Sequence, residues 1–160
     1  MVALREREFV HEREHQNFAA WVIVFDEKKE KVLLVRERSP RKEGLVGLPG
    51  GNPKNSSESL EEAAIRELRE ETGLRTNTGG LVSYPHNTYL GMLPRGSGDK
   101  YYAAKAFICI NHEGVKRQES KEAKRIFWAR IDKLDRYGGR LSPSLKTVVA
   151  QSLNFLNSQS

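Results

Sequence analysis

The sequence predicts a single α/β (α+β) domain over residues 1–160, a mixed β-sheet sandwiched between helices. Three observations carry that expectation. Short β-branched and aromatic runs are interleaved with helix-forming stretches, each such stretch has one apolar face to bury, and 160 residues with 38% apolar content suit one core. A chain of this size hides roughly 68–70% of its unfolded surface on folding, so it needs no disulfide staple. The single Cys109, within the apolar run Ala106–Ile110, reads as a buried, inert thiol, and a reducing, cytoplasmic setting is expected. No apolar run reaches the roughly 18 residues of a membrane span, and the charged stretch Met1–Gln16 does not resemble a signal peptide, so no membrane partner is expected.

Taken in order, residues 1–16 alternate charge with a few apolar positions, which fits an exposed arm or an edge strand. Phe18–Phe25 and Lys31–Val35 read as two strands joined by the polar turn Asp26–Glu30. From Arg36 to Ser57, glycine and proline recur at Pro40, Gly44, Gly47, Pro49, Gly50, Gly51 and Pro53, which predicts loop throughout. Glu58–Thr72 then runs without glycine or proline. Its Leu60, Ala64 and Leu68 recur every four residues beside Ile65, the mark of an amphipathic helix, and Gly73 is placed to stop it. Ser59 with Glu62 makes one capping box for its start, and Asn55 with Glu58 a rival. Strands are expected at Leu81–Tyr84, Thr88–Met92, Tyr101–Ile110 and Ile126–Ala129, a short helix at Ile131–Tyr137, and a terminal amphipathic helix over Ser142–Leu156.

The chemistry concentrates in the first helix. Glu67 precedes Glu70 by three residues and Glu71 by four, so all three carboxylates leave one side of the helix, with Cβ atoms about 5–6 Å apart. Such charges repel unless a cation sits among them. A solvated acidic face is the plain alternative, but Glu67 and Glu71 lack a cation one turn away on the helix. Hard divalent ions such as Mg²⁺ or Mn²⁺ take carboxylate oxygens together with water and phosphate, and the preceding glycines let backbone approach closely.

The stretch Gly51–Leu74 resembles the Nudix box, G-x5-E-x7-R-E-U-x-E-E-x-G-U with U a bulky aliphatic residue. Glu58, Arg66-Glu67-Leu68, Glu70-Glu71, Gly73 and Leu74 stand at its fixed positions. One departure is visible: six residues rather than five separate Gly51 from Glu58, an insertion among Asn52–Ser57 that leaves open whether Gly50 or Gly51 faces a metal. The resemblance implies a Nudix-like α/β/α sandwich and Mg²⁺-dependent attack of water on the pyrophosphate of a nucleoside diphosphate linked to another moiety. It implies Gly51, Glu67, Glu70 and Glu71 as metal-binding positions, Glu67 as ligand or base, and Arg66 with Glu58 chiefly as a brace. A further acid from a loop before a late strand is also implied, with Glu122 favoured over Glu119. Arg36, Arg38 and Tyr89 are candidates for holding phosphate or base. Pro85 and Tyr89 do not stand where the family's subfamily markers would, so the substrate stays a nucleotide-type small molecule, with RNA 5′ ends and a non-catalytic binding module as rivals. A homodimer is expected only because family members are often dimers.

Charge supports this reading. The chain carries +6 overall, yet Glu58–Glu71 holds six acids and two arginines, a local −4, so the remainder carries +10. A basic surround suits a polyanionic phosphate, and nucleic acid is the less favoured alternative partner.

Overall fold

A computed structural model describes residues 18–38, 44–92, 101–141 and 144–159, with only the backbone of residues 18, 84–92 and 101–103. The expectation for residues 1–16 lies outside the described residues. In chain order the elements are β1 (Phe18–Val24), β2 (Lys31–Glu37), β3 (Val46–Gly47), β4 (Gly50–Gly51), α1 (Leu60–Thr72), β5 (Leu81–Met92), β6 (Tyr101–Cys109), β7 (Ala123–Arg130) and α2 (Leu145–Ser158). Short 3-10 turns span Thr78–Gly80 and Ile131–Arg140.

The strands form two sheets. One is mixed, in the order β4-β1-β6-β5, with β1 parallel to β6 and antiparallel to β4. The other is antiparallel, in the order β3-β2-β7. β1 and β2 are two strands joined by the polar turn, as expected; they belong to different sheets and share the bridge Phe25 to Val32. Two expectations are corrected here. The glycine-rich stretch is not all loop, since Val46–Gly47 and Gly50–Gly51 pair as two-residue strands. Leu81–Tyr84 and Thr88–Met92 are one strand, β5, whose register to β6 shifts between Ser83 and Thr88.

Strand alternation sorts the core into two layers. Ala20, Val22, Val24, Leu33, Val35 and Phe107 face Ala63, Ala64 and Leu68 of α1. Ile23, Val32, Leu34, Ala106 and Ile108 face Leu145, Val148 and Val149 of α2. The result is helix on sheet on helix. Each fully buried side chain such as Leu34 or Leu68 contributes roughly 1.5–3 kcal/mol by leaving water.

Local signals set α1 in place. Of the two possible caps, Ser59 takes the role: its hydroxyl accepts from the Glu62 N–H at 3.1 Å while Glu62 accepts from the Ser59 N–H at 3.0 Å. Asn55 instead makes a turn, its side chain accepting from the N–H groups of Ser57 and Glu58. Gly73, at φ 87°, ends the helix in the left-handed region. Cys109 is buried, and burial raises its thiol pKa, in keeping with an inert side chain. Among the described residues no helix is long and apolar enough to cross a membrane.

Candidate metal and active site

The site is built where α1 passes over the glycine strand β4. Glu67 and Glu71, one turn apart, both lie on the buried side of the helix, at 8% and 4% exposure. A third carboxylate reaches them from the loop ahead of β7. Ligand atoms of Glu67, Glu71 and the exposed Glu122 all lie within 4.8 Å of one another. Two unit charges at such a distance repel by about 3 kcal/mol at an effective dielectric of about 20, which an apolar core gives no reason to tolerate.

The protonation equilibria register that conflict. Burial drives the Glu71 carboxyl well above its usual range, repulsion from Glu37, Glu67 and Glu122 adds to it, and a hydrogen bond from the Gly50 backbone opposes it. Glu67 is likewise raised, chiefly by burial, against the hydrogen bond from Arg66. That bond engages only Oε1, at 2.9 Å; Oε2 of Glu67 is buried with no hydrogen-bond partner. An orphaned carboxylate oxygen facing two further acids fits a hard cation's donor set.

Arg66 holds the arrangement in register. Its Nε donates to Glu58 Oε2 and one terminal nitrogen donates to Glu58 Oε1, both at 2.8 Å. That same nitrogen donates to the Asn52 carbonyl at 3.0 Å, and the other reaches Glu67 and Glu70, at 2.9 and 3.1 Å. All five guanidinium donors are thereby used. The pairing lowers the Glu58 carboxyl to about 2, mainly through the Arg66 hydrogen bonds. One arginine thus ties the inserted loop, the helix and the Glu67 carboxylate together.

The two glycines of β4 play different parts. A Cβ on Gly50, at φ 156°, would meet the Ala20 carbonyl oxygen at 2.1 Å, so this residue is glycine because β1 passes against it. A Cβ on Gly51 would instead lie 2.6 Å from the Glu67 carboxylate. Gly51 is the one that borders the acids, and the Gly50 backbone hydrogen-bonds Glu71.

Other candidates from the sequence are placed differently. Glu70 is outside the three-carboxylate group, at the rim, paired with Arg66 and, at 3.7 Å, Lys54. Alternation along β2 puts Arg36 on the α2 face with Val32 and Leu34, away from the carboxylates. Arg38 donates to Glu119 at 2.8 Å rather than standing free. Tyr89, in β5, pairs with Ala104 of β6, and its side chain lies outside the described residues. Glu37, which sequence reasoning passed over, acts electrostatically on Glu71. Its signal was the alternation Leu33, Val35, Glu37 on one face of β2, useful only once α1 is known to cover that face.

A family model described as the NUDIX domain matches residues 15–149. The chain is a member of the Nudix family. An ADP-ribose pyrophosphatase of Methanocaldococcus jannaschii is 39% identical over 56 residues, which is 35% of this chain and 32% of that protein, so the likeness spans about a third of the relative's length. Among solved structures, the NUDIX domain of Shewanella oneidensis NrtR complexed with ADP ribose superposes with a TM-score of 0.68 at 17% identity, covering 95% of this chain and 97% of the other. A MutT NUDIX hydrolase from Burkholderia pseudomallei gives 0.62 at 19% identity, covering 84% and 96%. At these identities the structures establish the Nudix fold, a mixed-sheet α/β/α sandwich.

Proposed function

We propose that this Nudix protein hydrolyses the pyrophosphate linkage of a nucleoside diphosphate joined to another moiety, with Mg²⁺ or Mn²⁺ held by Glu67, Glu71 and Glu122. The observation that carries the reading is the convergence of these three carboxylates around the unpartnered Glu67 Oε2. Gly51 lends backbone beside them, and Glu70 is a further carboxylate that would join by exchanging its pairs with Arg66 and Lys54. When bound, the cation supplies neutralisation of the pyrophosphate oxygens and acidifies water.

The chain's own residues do the rest. Glu67, with Oε1 held by Arg66, has one free oxygen, Oε2, for one of two roles: ligand to the cation, or base that takes the proton of the attacking water, the latter a contribution of roughly 10²–10⁴ in rate. Arg66 is a positioning residue: it fixes one Glu67 oxygen and leaves the other free. The basic surround of +10 attracts the polyanion toward the acidic strip. ADP-ribose is the first substrate to try, given the relative from Methanocaldococcus jannaschii and the ligand of the Shewanella oneidensis domain.

The test is a panel of ADP-ribose, nucleotide sugars, dinucleoside polyphosphates, nucleoside triphosphates and triphosphorylated RNA, with products separated by chromatography. Mg²⁺-dependent cleavage at the pyrophosphate is expected. Metal-dependent nucleotide binding with every substrate left intact would replace this reading by a binding module. Cleavage confined to the RNA, with affinity falling steeply as salt is added, would favour the RNA 5′-end reaction instead.

A further inference from the structure

Two of the three convergent carboxylates are fixed by a helix, whereas the third, Glu122, stands exposed on a loop. Three contacts to that loop come from one residue, Arg38. The Arg38 N–H donates to the Glu122 carbonyl at 3.1 Å. Its guanidinium donates to Glu119 Oε2 at 2.8 Å and makes a longer contact, 3.5 Å, with the Ala123 carbonyl. Glu122 is therefore gripped on both sides and at its own backbone. Within the loop, Ser120 closes a turn on Ala123, its N–H donating to the Ala123 carbonyl at 2.9 Å and its hydroxyl accepting from the Ala123 N–H at 3.1 Å.

The sheet register explains why Arg38 is in reach. Arg36 pairs with Arg125, but Glu37 pairs with Ala123, so Lys124 is an extra residue on β7. Such a bulge re-aims the strand where it occurs. It turns Ala123 into the α1-side core and brings the residues just before it alongside the end of β2.

We infer that Arg38 and Glu119 form a clamp that positions the Glu122 carboxylate, so that Arg38 raises the protein's affinity for a divalent cation although its own charge opposes that cation. The inference rests on the metal-site reading above. Its sign separates it from plain electrostatics. Removing a positive charge beside an acidic cluster strengthens cation binding by Coulomb's law, whereas loosening the loop that carries a ligand weakens it.

The experiment is Mn²⁺ binding to the full chain without substrate, read from the electron paramagnetic resonance signal of free Mn²⁺. Arg38→Ala is expected to weaken binding roughly five-fold, below the 10–100-fold typical of buried outer-shell partners because this pair is partly exposed. Arg38→Lys should fall between, and the exchange of Arg38→Glu with Glu119→Arg should regain most of the loss. In a Glu122→Gln background, itself weaker in Mn²⁺ binding, Arg38→Ala should add no further loss. Unchanged or tighter binding by Arg38→Ala, with Glu122→Gln still weakened, overturns the clamp and leaves the site standing. If neither Glu71→Gln nor Glu122→Gln affects binding, the metal site is wrong and the clamp falls with it. Both Arg38 and Glu119 are exposed, so thermal melts of these variants should match the parent and exclude misfolding as the cause.

Discussion

The two faces of the central strands differ in what they do with burial. On the α2 face, Ile23, Val32, Leu34 and Ile108 meet Leu145, Val148 and Val149, and apolar surface leaves water with no charge among these partners. On the α1 face the same strands meet Ala63, Ala64 and Leu68, but the next positions along the helix are the buried acids Glu67 and Glu71. One layer stabilises the fold. The other gives up stability to hold carboxylates close together, the usual sign of a site maintained for chemistry.

The contrast is broken most severely at Glu71. Glu71→Gln is expected to lower turnover by two to four orders of magnitude, about 10²–10⁴, measured under saturating Mg²⁺. The same change should raise the melting temperature of the metal-free protein at neutral pH. The folded state holds the Glu71 proton more tightly than the unfolded chain does, so stability falls as pH rises above the ordinary carboxyl value of 4.5, and glutamine removes that loss. The melting temperatures of the two proteins in chelator should therefore converge near pH 4 and separate above it. Glu58 acts in the opposite direction. Its lowered pKa means that its pairing with Arg66 is retained above 4.5 and is lost as pH falls toward 2. A variant that loses activity yet melts no higher at any pH would remove the argument that Glu71 is held against its preference.

On the apolar face the signs reverse. Leu34→Ala, at a fully buried position, should cost about 2–5 kcal/mol in denaturant unfolding, while turnover per folded molecule stays near that of the parent. A drop in turnover without destabilisation would mean that the α2 layer has a part in catalysis.

The smallest and sharpest comparison is between neighbours. Gly50→Ala places a methyl against backbone at a left-handed φ and should destabilise by about 1–3 kcal/mol. Gly51→Ala meets only the end of the Glu67 side chain, so its melting temperature should barely move while Mn²⁺ affinity and turnover fall. Equal destabilisation by both substitutions would erase the division between a glycine for the fold and a glycine for the site.

Much of the site was legible because it is local. A helix's period places Glu67, Glu70 and Glu71 on one side, of which the structure brings Glu67 and Glu71 into the carboxylate group; Ser59 with Glu62 starts the helix, Gly73 ends it, and Arg66 lies one turn from both Glu62 and Glu70. These are consequences of backbone geometry over a few residues, so the sequence by itself determined the acidic helix, its stop and the membership of two of the three converging carboxylates. Even there the choice between Ser59 and Asn55 as cap needed the folded loop, since both satisfy the same rule.

What only the tertiary structure decided involves residues far apart in the chain. The separation of β1 from β2 into different sheets, the bulge that offsets β7 against β2, and the face on which Arg36 or Glu37 projects all depend on which strands pair and in which register. A one-residue shift exchanges inside for outside, and no local pattern records it when a strand is apolar on both faces. For the same reason Arg38, a candidate for holding phosphate or base, is engaged with Glu119, while Glu122, expected through the family resemblance alone, reaches Glu71, and Glu37 acts on it, because two sheets and a helix converge there. Helical periodicity is written in neighbouring residues, whereas the third carboxylate and the clamp beside it follow from long-range pairing, whose information is spread over the whole chain.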